Sequence, residues 1–267
     1  MIILKFIASF FLGGILIGIQ SILAEKCPKY GGYIISLPST LPLSLFFIGW
    51  TNGMDDAIGA NIAVPFSIIN LIIFSFIFYF LLVKQNGKIL LVNIFSILTW
   101  LMNSVIIQLT FSSVRLEYSL IGALLFIAIA FVFFRTNIKL SNTIYSKKNN
   151  NQAINLFQRI IIAGGVITSA SLLSYFLSPF WGGIFAVFPA AYISSFNFIY
   201  FSKGIENIRE VILRVPEGCL LFLIYSAAFW IIESSNIFIK ISIAYLLTVL
   251  IGGLIIYSIN KIKLNDV

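Results

Sequence analysis

The chain has 267 residues, 60% of them hydrophobic and only 10% charged, with a mean hydropathy of +1.05. Soluble domains are roughly a quarter charged, so this composition excludes a water-soluble globular protein and indicates one integral to a membrane. The net charge of +8, from 17 Lys and Arg against 9 Asp and Glu with no histidine, reads as membrane topology and attraction to anionic headgroups rather than nucleic-acid binding.

Nine apolar stretches follow, each near the length of about 20 residues that crosses the hydrocarbon core as a helix. The first, 4–24, has Lys5 ahead of an apolar run ending in Ser21-Ile22-Leu23-Ala24, the look of a signal peptide. Its counterpart later in the chain cannot be a cleaved signal, so residues 1–24 are expected to remain a helix. The second, 32–50, opens on Gly31-Gly32 and contains Ser36-Leu37-Pro38-Ser39-Thr40. The turn Thr51-Asn52-Gly53-Met54-Asp55-Asp56 leads to the third, 61–83; glycine suits a left-handed cap and the acids suit a helix start. The fourth, 89–110, carries Thr99, Asn103, Ser104 and Gln108, and the fifth is 119–135. An Asn- and Lys-rich linker, Tyr145 to Asn155, precedes the sixth at 157–177, which contains Thr168, Ser169 and Ser171. The seventh, 181–201, contains Pro189 and Asn197. The eighth, 213–232, begins with Pro216-Glu217, and the ninth is 237–259.

The chain repeats itself. Residues 13–65 align without a gap on 164–216 at a constant offset of 151. Gly13, Gly14, Pro28, Gly31, Gly32, Pro38, Gly53 and Pro65 recur as Gly164, Gly165, Pro179, Gly182, Gly183, Pro189, Gly204 and Pro216. The shared residues are mostly those that set backbone geometry. Four spans per copy leave the fifth unpaired, and an odd number of crossings turns the second copy upside down. The expected fold class is an all-α membrane protein of nine transmembrane helices, arranged as two inverted four-helix repeats joined by one linker helix. Its parts are a first repeat at 1–118, a linker helix and cytoplasmic linker at 119–156, and a second repeat at 157–267.

Charge orients this scheme. One side holds Lys26, Lys29, Lys84, Lys88, Arg135, Lys139, Lys147, Lys148, Arg159, Lys203, Arg209, Arg214, Lys261 and Lys263, and the other only Lys5, Arg115 and Lys240. The positive-inside rule then puts the amino terminus outside a cell membrane and the carboxyl terminus in the cytoplasm. Lys5 beside the first helix is the one local vote against it.

Two runs carry a resemblance. Phe180-Trp181-Gly182-Gly183, then Val187-Phe188-Pro189-Ala190 and Ser202-Lys203-Gly204-Ile205-Glu206, together with Ala24-Glu25, Tyr30-Gly31-Gly32 and Ser36 to Thr40 in the first copy, resemble the small GlpM-like and DUF3147 bacterial membrane proteins. Those relatives are single four-helix units, so the resemblance implies a fused tandem duplication. It implies a fold and a topology more than an activity.

For chemistry, the sequence offers neutral groups. Proline removes a backbone donor and frees a carbonyl one turn earlier, tolerable in a membrane only beside other helices, hydroxyls or a polar cavity. Pro38 with Ser39 and Thr40, Pro189, Asn197 and Gln20 are therefore the candidate substrate-binding residues. A kinked packing helix is the first explanation of both prolines and a discontinuous helix lining a substrate site the second, and Gly13, Gly14, Gly164 and Gly165 read as close helix contacts. Glu217 after Pro216 reads as a helix-start acid. The membrane centre is nearly free of ionisable side chains, so an enzyme is not expected and no catalytic residue is assigned. Cys27 and Cys219 lack metal-ligand spacing, so neither metal nor cofactor is expected. The partners expected are the lipid bilayer and an unidentified small molecule, with no nucleic acid. A secondary transporter or flippase-like carrier of a neutral or amphipathic solute fits best. A membrane interaction or assembly protein is the alternative, and a channel on the pseudo-twofold axis is a third.

The topology is checked by single-cysteine labelling in intact cells, starting from a cysteine-free variant. A cysteine replacing Ser113 is expected to react with an impermeant reagent from outside. One replacing Asn150 is expected to stay protected until the membrane is opened.

Overall fold

The structure is a computed structural model describing residues 2–26, 37–84, 88–138, 152–203 and 205–265, and within these every regular element is an α-helix. In chain order they are α1 (Ile2–Lys26), α2 (Thr40–Asn52), α3 (Met54–Lys84), α4 (Ile89–Phe111), α5 (Leu116–Asn137) and α6 (Gln152–Phe176), then α7 (Pro179–Ala186), α8 (Ala190–Lys203), α9 (Ile205–Leu213), α10 (Val215–Ile231) and α11 (Ile237–Asn265). The motif residues Pro28, Gly31, Gly32, Ser36 and Gly204 lie outside the described residues, as does the linker up to Asn151.

Burial is sorted for lipid. On α4, Val92, Ser96, Trp100 and Ser104, spaced four residues apart on one face, are buried, whereas Leu90 is 71% exposed, Met102 67% and Leu109 79%. In water such a leucine surface would be a large aggregation-prone patch. In a bilayer it is the solvated face, and the serines turn inward because lipid offers them no partner. Five helical stretches among the described residues have the length and apolarity to cross a membrane: Met54–Val83, Ile89–Phe111, Leu116–Thr136, Val211–Ile231 and Ile237–Ile255. Shorter apolar helices run over Ile3–Ile19 and Ile160–Phe176. The protein spans the membrane.

The centre of the bundle is α3, which packs against α2, α4, α5, α7 and α10. At 31 residues it is about 46 Å long. It starts at Met54, seven residues before the expected span, because Gly53 turns the chain with φ 112° and Asp55 and Asp56 occupy the first turn. The turn differs from the expected left-handed cap: ψ at Gly53 is 167°, a combination open to glycine alone, and the Gly53 amide still closes on the Gly49 carbonyl at 3.0 Å.

Two further spans differ from expectation. The stretch 181–201 is two helices, α7 and α8, separated at Val187-Phe188-Pro189. Pro189 cannot bond to the Phe185 carbonyl one turn back, so the Phe188 amide takes it at 3.0 Å and α7 ends there. Leu37, Pro38 and Ser39 are likewise non-helical before α2 begins at Thr40. Ahead of α10 the expected turn is replaced by the short helix α9, whose Ile208 and Ile212 are fully buried.

Glycine contacts set the tightest approaches. Antiparallel α1 and α6 touch through Gly14 on the Ile160 backbone and Gly164 on the Phe10 backbone, with Ser9 and Thr168 hydroxyls 3.0 Å apart. On α7, Gly183 lies on the backbone of Ala60 of α3, and nearby Gly59 abuts Pro179. The α2–α3 and α6–α7 turns meet at one end of the bundle, where the Asn52 amide reaches the Ser174 hydroxyl at 3.2 Å and Lys5 donates to the Trp50 carbonyl at 2.5 Å. At the other end Arg209 donates to the Tyr79 hydroxyl at 2.5 Å, and Arg135 faces Glu217 at 3.8 Å. Glu217 stands in the first turn of α10, as a helix-start acid does.

Replacing Gly183 with alanine is expected to lower the melting temperature in detergent, because the new methyl would strike the Ala60 carbonyl; overpacking of this kind costs about 1–3 kcal/mol. Gly122→Ala, where a Cβ meets nothing within 4 Å, is expected to leave the melting temperature unchanged or raise it.

Candidate functional site

The α7–α8 break lies at mid-depth. Trp100 is the middle residue of α4, Asn70 is one residue past the middle of α3, and both are fully buried. The Trp100 ring meets Phe185 edge-on at 5.3 Å and Phe188 at 4.8 Å, while the two phenylalanines lie within 12° of parallel. Three aromatic rings thus surround the chain where it stops being helical. Pro189 is buried behind them.

Polar groups converge on the same place. The Asn70 side-chain amide donates to the Trp100 carbonyl at 3.1 Å and to the Ser104 hydroxyl at 3.0 Å, and Ser104 donates to the Trp100 carbonyl at 2.8 Å. The Trp100 indole Nε1, the Asn70 Oδ1 and the Ser96 hydroxyl are buried with no hydrogen-bond partner among the described residues. An unpaired buried polar group costs about 1–3 kcal/mol, and three of them lie on the adjoining helices α3 and α4. One to two turns towards the Arg209 end, Asn93 and Asn197 exchange side-chain amide contacts at 2.8 and 3.4 Å. Towards the other end, Asn61 of α3 donates to the Ser226 carbonyl of α10 at 3.0 Å, leaving its own Oδ1, the Tyr225 hydroxyl and the Ser226 hydroxyl unpaired.

These are amides, hydroxyls and an indole. They can hold an uncharged ligand by donating and accepting, but none is a general acid or base at neutral pH. Among the described residues no three His, Cys, Asp or Glu side chains come together as a metal site would require.

Of the residues picked from sequence, Pro189 and Asn197 border this cluster, Pro189 beside Phe188 and Asn197 through Asn93 of α4. Pro38 is buried and Ser39 and Thr40 are half-buried, at the start of α2. Gln20 is on α1, with its side chain outside the described residues. Sequence reasoning missed Asn61, Asn70, Asn93, Ser96 and Trp100. The signal was present on α4: residues 93, 96, 100, 104 and 108 fall on one helical face, and each is polar or carries a polar atom. Thr99, chosen from composition, instead bonds back to its own Phe95 carbonyl at 2.8 Å.

No protein-family model, curated protein or solved structure matches the chain. The functional reading therefore rests on the site itself.

The Asn93–Asn197 pair gives a direct energetic test. Asn93→Leu and Asn197→Leu each leave one amide without its partner, and each is expected to destabilise the protein by about 1–2 kcal/mol. The double variant is expected to lose less than the two singles combined, as read from thermal unfolding in detergent.

Proposed function

We propose that the protein is a small secondary transporter or flippase-like carrier that binds a neutral or amphipathic solute at the α7–α8 break. The observation that carries this reading is the coincidence, at mid-depth, of a broken helix, an aromatic cluster and unpaired buried polar atoms. Irregular backbone inside a membrane is tolerated where it borders a cavity or is covered by protein, and carriers place their sites at such discontinuous helices.

Nine crossings and inverted repeats belong to the same proposal, and two helix pairs support them. The contacts of α1 with α6 run antiparallel about a crossing near Leu12 and Ala163. The contacts of α3 with α9 and α10, Asn61 to Ser226 and Tyr79 to Arg209, run antiparallel about a crossing near Ile68 and Cys219. In both pairs the crossing residues are equivalent at the 151 offset. A single twofold axis perpendicular to the helices produces both crossings, and such an axis lies in the membrane plane. Counterpart breaks at Pro38 and Pro189 agree with it. The GlpM-like resemblance adds an origin, a four-helix unit duplicated and fused through α5. The charge asymmetry favours an external amino terminus. The site residues support a non-enzymatic role.

The test is reconstitution into liposomes, following a fluorescent phosphatidylcholine by dithionite quenching and uncharged solutes by osmotic swelling. Wild-type protein is expected to accelerate one of the two. Pro189→Ala, which lets α7 and α8 join, and Thr40→Val are expected to slow it several-fold with melting temperatures near wild type. Acceleration of neither would leave the interaction or assembly role as the better reading.

A further inference from the structure

The inward face of α4 carries Asn93, Ser96, Trp100, Ser104 and Gln108, a stripe about 22 Å long. Buried polar atoms without a partner recur along it, at Ser96, Trp100 and Gln108. The second copy provides an internal comparison: its counterpart helix α11 turns Lys240, Ala244, Thr248 and Gly252 inward, Thr248 bonds back to the Ala244 carbonyl at 2.8 Å and Lys240 donates to the Ile232 carbonyl at 2.7 Å, and among the described residues α11 holds no buried side-chain polar atom without a partner.

We infer that the seam between α4 and the broken helix α7–α8 is a one-sided binding site for an uncharged polyhydroxylated molecule, a polyol or monosaccharide, with Trp100 and Asn70 as its central contacts. The ligand class follows from the inventory. The Trp100 Nε1 can only donate, the Asn70 Oδ1 can only accept and the Ser96 hydroxyl does either. A hydroxyl group answers all three. The rings of Trp100, Phe185 and Phe188 offer apolar faces to the C–H side of such a molecule. All the residues named along the seam are uncharged, and a charged ligand there would have no counter-charge to offset its desolvation. This inference rests on the carrier reading and narrows its substrate.

Full-length protein in liposomes, challenged with sorbitol and followed by light scattering, tests it. Sorbitol entry is expected to exceed that of protein-free vesicles. Trp100→Phe keeps a ring and removes one hydrogen bond, and is expected to lower entry about tenfold, the size of one such bond. Ser96→Ala is expected to lower it less, and Ile251→Val, on the exposed face of α11, to leave it at the wild-type level. As a second measurement, Trp50→Phe, Trp181→Phe and Trp230→Phe together leave Trp100 as the sole tryptophan, and its emission is expected to shift on titration with sorbitol. Equal sorbitol entry by wild type and Trp100→Phe, or an unmoved Trp100 spectrum, would overturn the site. Lipid translocation with sorbitol excluded would overturn the ligand class while the carrier reading stands, and movement of neither sorbitol nor lipid would remove that reading as well.

Discussion

A hydrocarbon surround offers no hydrogen bonds, and nearly everything in this structure follows from that one constraint. Backbone groups must close on one another, so every regular element of the described residues is a helix. Side chains sort in the reverse of a soluble protein: Leu, Ile and Phe face outward on α4 and α11, while serine and asparagine turn in. Even the inward hydroxyls mostly bond back to their own helix, as Ser67, Ser75 and Thr248 do to the carbonyl four residues earlier. The polar atoms that do not close locally stand out against this background. Most of them belong to α3, α4 and α10, and the rest, on Ser44, Thr51, Asn52 and Ser178, to α2 and the residue before α7.

With no hydrophobic force between helices in lipid, close approach has to supply the attraction. Glycine makes that approach at the contacts joining the two copies. Gly14 and Gly164 bring α1 and α6 backbone to backbone, and Gly183 lays α7 on α3. This second contact has a structural consequence for the site. By fixing the short helix α7 against α3, it holds Phe185 and Phe188 at the level of Trp100, where the helix breaks. The packing glycines and the polar cluster are thus parts of one arrangement, the first positioning the second.

Much of the fold was legible in the chain. Composition gave a membrane protein, run lengths gave the helices, and Pro38 and Pro189 marked where a freed backbone carbonyl needs another partner. Those features are legible because they depend on local properties, transfer into lipid and the geometry of single residues. The helix starts were less so. Gly53 and the acids after it read as a turn, yet the expected gap of 51–60 shrinks to Gly53 alone, since Asp55 and Asp56 are tolerated in a first turn at the bundle end. The amphipathic α9 falls between the expected spans 181–201 and 213–232 because it is only nine residues long and interleaves Glu206, Arg209 and Glu210 with its apolar residues.

The sequence by itself determined that the protein lives in a membrane, that backbone hydrogen bonding is disturbed at Pro38 and Pro189, and that its interior offers neutral rather than ionisable groups. Only the tertiary structure decided which of those neutral groups meet. Asn197 was visible as an intramembrane amide, but its partner Asn93 is 104 residues away in the chain. Trp100 looked like one more aromatic residue, and its burial between Phe185 and Phe188 depends on a helix of the other copy. Polarity is a property of a residue, whereas being left without a partner is a property of its neighbours, and those neighbours are chosen by long-range packing.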